Sequence, residues 1–195
     1  MSSENPTTRT RILDATWTLL ETGGSKVRMS DIAKAAGISR QAVYLHFPSR
    51  AELLVATTRH IDAAKDIDAR LAGSRSATSG PERLARFIDA WGTYIPEIHG
   101  VGRALMAMQD SDEEARKAWA GRMEALRQGC AAAVAAIVAD GALRPELTES
   151  RATDTLWMLL SARNWEQLTQ EAGWSQADYL AAIQDIARRS LIADI

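Results

Sequence analysis

Four side chains in one short stretch, Arg40, Gln41, Tyr44 and His46, are the best placed in this sequence to recognise another molecule. A guanidinium forks onto the O6 and N7 acceptors of guanine, and a glutamine amide matches N7 and N6 of adenine. Each such pair discriminates between bases by about 1–3 kcal/mol. Tyr44 and His46 carry donors suited to phosphate oxygens, which fix register and hold no base information. A core position for Tyr44 and a solvated one for His46 are the alternatives. Nothing comparable points to catalysis. The histidines, His46, His60 and His99, lack the paired spacing of a zinc site. There is no glycine-rich phosphate loop and no nucleophile elbow. The acids Asp110, Asp112, Glu113 and Glu114 fit a helix start, where they face the positive end of the macrodipole. The chemistry expected is binding, with no enzyme activity, no metal and no cofactor.

Side chains of this kind reach base edges when a short helix carries them into the major groove. The flanking residues supply that helix. Ser30 stands before Asp31, Ile32, Ala33, Ala35 and Ala36 and reads as an N-cap with an acidic first turn. Gly37 ends this helix and permits the left-handed residue that a sharp turn needs. Ser39 caps the next helix, and Pro48 closes it. Residues 30–36, 37–39 and 40–47 thus form a helix-turn-helix. Val43, with Leu45 or Phe47, packs inward on Ile32, Leu13 and Leu54, leaving Arg40, Gln41, Tyr44 and His46 outside. Arg28 is a further phosphate candidate.

Helical signals continue along the whole chain. Apolar spacing gives a first helix around Ile12–Leu20, stopped by Thr22-Gly23-Gly24. Ser49 caps a fourth, linking helix that runs to about Leu71. Residues 72–80 are small and polar and read as a loop. Pro81 opens a helix to about Tyr94, broken near Pro96 and Gly100, and a short helix spans 101–108. A long helix from the acidic run to Ala139, one over 149–171 and a last one over 176–192 complete the chain. The expected fold is all-α: a three-helix head in residues 1–55, and a linking helix with an all-helical body in 56–195.

Charge divides the same way. Residues 1–60 hold eight Lys/Arg against five Asp/Glu, while the other 135 hold 15 against 20. A basic head on an acidic body is expected when one end meets phosphate. The single cysteine, Cys130, lies in an alanine-rich stretch and reads as a small buried hydrophobe. No stretch is long and apolar enough for a membrane span or a signal peptide, so a cytoplasmic protein is expected.

The segment from Thr8 to about His60 resembles the N-terminal domain of the tetracycline-repressor (TetR) family. The resemblance rests on Ile32-Ala33, Ala36-Gly37, Tyr44 with Phe47, Arg50 and Leu53-Leu54. It implies an all-helical homodimer that represses transcription from a double-stranded DNA operator and releases it on binding a small molecule. It also implies DNA contacts by Ser30, Arg40, Gln41, Tyr44, His46 and Arg50, to which the cap Ser39 and Arg28 are added. Arg50 stands where the family usually has lysine. Gln41 and Ala42 fall where the family varies, so the operator sequence does not carry over.

The body is quieter. Its tryptophans and methionines suit either a core or the lining of an apolar cavity. The candidates for a ligand of unknown identity are Trp91, Tyr94, Ile95, Met106, Trp119, Met123, Met158 and Trp165, with His99, Asn164 and Gln167 as polar anchors. The resemblance places a dimer seam on the last two long helices, where Leu156, Leu159, Leu160, Arg163, Gln167, Tyr179, Ile183, Ile186 and Ala187 are the candidates. A two-fold dimer would read half-sites about 34–36 Å apart. The alternatives are a ligand-independent DNA-binding adaptor and an enzyme-like body with a DNA-targeting head.

Overall fold

The computed structural model describes residues 7–23 and 27–193. These residues form helices joined by short turns: α1 (Thr8–Gly23), α2 (Met29–Ala35), α3 (Arg40–His46), α4 (Arg50–Ala64), α5 (Ile67–Arg75), α6 (Gly80–Met108), α7 (Glu113–Ala139), α8 (Glu149–Leu159), α9 (Ala162–Glu166), a π-helical turn (Gln167–Glu171) and α10 (Gln176–Leu191). The only β-type pairing among them is an isolated antiparallel bridge between Leu143 and Ile192. The all-α class is therefore as expected. Gly24, part of the expected stop for α1, lies outside the described residues.

Two compact units result. One comprises the segment up to Lys65 together with Glu97–Gly121, and the other comprises Asp66–Pro96 together with the segment from Arg122 on. In the first, α1 packs on α2 and α4, and α2 packs on α3. Ile12, Leu13, Ile32, Val43, Phe47, Leu53 and Leu54 are buried there. Thr16, Thr57 and Thr58 are buried too, each hydroxyl donating to the carbonyl one turn back. In the second, Leu84, Phe87, Ile88, Cys130, Val134, Ile137, Leu156, Leu160, Tyr179 and Ile183 share one core.

Most caps are where the side chains predict them. Ser39, Ser49, Thr148 and Ser175 each accept a backbone N–H from the first turn of their helix. Ser30 does not. It lies inside α2, whose cap position is Arg28, and the Asp31 carboxylate reaches back to the Arg28 N–H at 3.0 Å.

Three boundaries differ from expectation. The linking helix does not run to Leu71. It stops at Ala64, and Asp66 adopts a left-handed φ of 45° while its carboxylate caps Ala69, starting α5 afresh. Helix α5 then extends through Arg75 into the expected loop, leaving four residues between it and α6. Helix 149–171 is interrupted after Leu159, because Ser161 caps a new start by accepting from the Asn164 N–H.

The largest difference is at Pro96, which breaks nothing: α6 is continuous through it. Proline lacks an N–H, so the carbonyl four residues earlier, at Gly92, loses its helical partner. That carbonyl accepts instead from the Gln176 side-chain amide at 2.9 Å, and the Gln176 oxygen accepts from the Trp165 indole at 2.8 Å. A Cβ at Gly92 would run into the Leu180 side chain, so the glycine makes room for that residue of α10. A buried carbonyl without a partner would cost about 1–3 kcal/mol, so the amide of α10 makes a proline inside α6 tolerable.

Two predictions follow from this packing. Gln176→Ala should lower stability by about 1–3 kcal/mol in chemical denaturation, and by less in a Pro96→Ala background, where the restored N–H serves Gly92. Equal losses in both backgrounds would contradict the link. Cys130 is fully buried, and burial pushes its thiol up to about 12. It should resist alkylation at pH 8 in the folded protein and react once the protein is unfolded.

Candidate nucleic-acid interface

The turn between α2 and α3 is set by backbone hydrogen bonds. Gly37 takes φ = 67°, its N–H donates to Lys34, and the Ile38 N–H donates to Ala33 at 3.0 Å. This is a Schellman ending, and glycine adopts its left-handed residue without Cβ strain. The Arg11 guanidinium donates to the Ala36 carbonyl, fastening the end of α2 to α1.

Ser39 then opens α3, its hydroxyl accepting from the Ala42 N–H at 3.1 Å. Of the two residues proposed to join Val43 in the core, Phe47 does so and Leu45 does not. Val43 and Phe47 are 0% and 2% exposed, whereas Leu45 is 81% exposed. The guanidinium of Arg9 lies 4.8 Å over the Phe47 ring. Exposure therefore marks an outer face, and Arg40, Gln41, Tyr44 and His46 all lie on it.

Arg40 and Tyr44, one turn apart, are already paired. The guanidinium donates to the Tyr44 hydroxyl at 3.3 Å and sits 5.5 Å from its ring centroid. The hydrogen bond, with its accompanying electrostatic attraction, raises Arg40 above the ordinary arginine value. Arg28, Ser30 and Ser39 are also exposed. Arg50 is half-buried at the start of α4, and that burial lowers its value. The eight residues expected at DNA thus fall on α2, α3, their caps and the first residue of α4.

The body candidates are more scattered. Trp91, Tyr94, Ile95, Met123, Met158 and Trp165 lie in the second unit, and Met106 and Trp119 in the first. Trp91 and Tyr94 meet edge to face at 6.0 Å, and the Trp91 indole donates to the Leu160 carbonyl. Tyr94, Ile95 and Trp165 are buried, while Met158 is 55% exposed. Of the polar anchors, Asn164 donates to the Met158 carbonyl and Gln167 is exposed. A groove of about 300 Å³ lies between Pro81, Leu84 and Ala85 of α6 and Ala181, Gln184 and Arg188 of α10. None of the eight expected ligand residues lines it.

The expected dimer residues divide by burial. Leu156, Leu159, Leu160, Tyr179, Ile183 and Ala187 are buried in the core of their own unit. Arg163, Gln167 and Ile186 remain on the surface.

Residues 12–57 match the family described as bacterial regulatory proteins, tetR family. None of the curated proteins matches the chain significantly. Solved structures do. A putative transcriptional regulator from Saccharomonospora viridis, in complex with choline, is 21% identical with a TM-score of 0.80, over 95% of this chain and 98% of that one. A putative TetR-family transcriptional regulator from Rhodococcus sp. is 24% identical with a TM-score of 0.69, over 94% and 98%. The transcriptional regulator FadR from Bacillus subtilis, in complex with stearoyl-CoA, is 14% identical with a TM-score of 0.73, over 92% and 97%. The head, residues 12–57, thus matches the sequence pattern of the tetR family of bacterial regulatory proteins, and nearly the whole chain shares the fold of solved transcriptional regulators.

Proposed function

We propose that this DNA-binding regulator is a homodimeric repressor, released from a palindromic operator by a small apolar or aromatic ligand. The observation that carries the DNA reading is the outer face of α3. Burial of Val43 and Phe47 turns Arg40, Gln41, Tyr44 and His46 outward together. In this reading residues 1–55 are the DNA-binding domain and 56–195 the ligand-binding and dimerisation domain. Arg40 and Gln41 read bases at the helix end that enters the groove first. Tyr44, His46, Arg50, Arg28, Ser30 and Ser39 hold the phosphate backbone.

Two of the structural neighbours contain small molecules, choline in one and stearoyl-CoA in the other, which supports a ligand for the body. Within the second unit its candidate lining is Trp91, Tyr94, Ile95, Met123, Met158 and Trp165. Such a ligand releases DNA only by binding the DNA-incompetent state more tightly. For the dimer, Leu156, Leu160, Arg163, Gln167, Tyr179, Ile183 and Ile186 are the candidates, of which Arg163, Gln167 and Ile186 are exposed. Among the described residues no helix is long and apolar enough to cross a membrane.

Selection of duplexes from a random pool by the full-length protein tests this. A two-fold symmetric site should emerge. Its affinity should fall steeply with salt, by about 0.9 log unit per log unit of salt for each phosphate neutralised. Arg40→Ala and Gln41→Ala should each lose about 1–3 kcal/mol at one base pair per half-site and relax the preference there. Absence of any enriched duplex at low salt would overturn the proposal.

A further inference from the structure

We infer that Leu45 is a base-reading residue whose side chain packs on the 5-methyl group of a thymine in the major groove. This rests on α3 meeting DNA as proposed above. Leu45 is 81% exposed, more than any other large hydrophobic residue among those described. Its position is what gives that exposure meaning. Successive residues of an α-helix turn by about 100°. Val43 and Phe47 are one turn apart and buried, and they define the inward direction of α3. Leu45 lies two residues from each, about 200° around, and so points almost straight away from the core.

The other exposed residues arrange themselves about it. Gln41 is one turn before Leu45 and shares its central stripe. Tyr44 lies on one flank, hydrogen-bonded to Arg40, which stands at the N-terminal end of the helix where its long side chain reaches a base edge. Ala42 and His46 lie on the opposite flank. A helix seated in the major groove puts its flanks near the two phosphate walls and its central stripe on the base edges. Leucine has no donor or acceptor, so it has nothing to offer a phosphate. On the base edges of the major groove the apolar feature is the thymine methyl. Of the described exposed large hydrophobics only Tyr44 is near Leu45 in the chain, which suits contact with a methyl group better than a protein partner's apolar patch.

The stripe therefore reads two positions with different chemistry. Gln41 matches adenine by a bidentate amide contact. Four residues of helix rise about 6 Å, close to two base-pair steps. The thymine read by Leu45 is expected about two steps from the base read by Gln41.

The duplex selected from the random pool serves as the probe, with each symmetric pair of thymines replaced in turn by deoxyuridine, which removes only the methyl. One pair should weaken wild-type binding by about fourfold per methyl removed. Leu45→Ala should weaken binding to the thymine duplex by a similar factor and be indifferent to that same replacement. Its salt slope should match the wild type, since no phosphate contact is lost. Its melting temperature should also be unchanged, because the side chain is outside the core. Specific binding that is insensitive to every uridine replacement would overturn the assignment of Leu45 and leave the repressor reading intact. So would a uridine effect that persists in Leu45→Ala. Failure to select any duplex would remove both.

Discussion

The burial of Val43 and Phe47 is the interaction on which the DNA-facing surface depends. Helix α3 has seven residues, well below the roughly 12–15 that an isolated helix needs to be stable in water. Its existence comes from packing. Each buried side chain contributes about 1.5–3 kcal/mol, more than the Ser39 cap at about 1 kcal/mol. The same two residues set the rotation of the helix about its own axis. That rotation decides which side chains face outward, so stability and recognition here have a common origin.

Much of the head was legible in the sequence because its determinants are local. Ser39 and Ser49 are caps in the sequence and caps in the structure. Gly37 takes the left-handed turn that its position implied. Ser30 misled because a nearby acid competes: Asp31 reaches back to the Arg28 N–H, and the helix begins one residue before the serine. The choice between Leu45 and Phe47 was also within reach, since only a residue one turn from Val43 can share its direction. The body resisted for a different reason. Amphipathic spacing says that one face of α8 or α10 is buried without saying what buries it. Leu156, Tyr179 and Ile183 follow that spacing into their own core.

Charge has a similar limit. The excess of basic residues in the first 60 treats every arginine alike. Two of them already serve the fold: Arg9 stacks on Phe47, and Arg11 holds the Ala36 carbonyl. Their charge still adds to a positive field that draws a polyanion. Their contacts instead keep α1, α2 and α3 in one arrangement, so the head meets a ligand already organised.

The proline in α6 has a consequence for motion. The Gly92 carbonyl is satisfied by Gln176 rather than by its own helix, and the same amide is held at its other end by Trp165. Sliding α10 along α6 by a single turn, about 5.4 Å, would leave a carbonyl and an indole N–H without partners together. The amide therefore acts as a pin between two helices that smooth apolar packing alone would leave freer to shift. Any rearrangement that a signal induces in this unit must carry this stretch of α6 and the start of α10 as one piece, and its flexing has to be found in other joints of the chain.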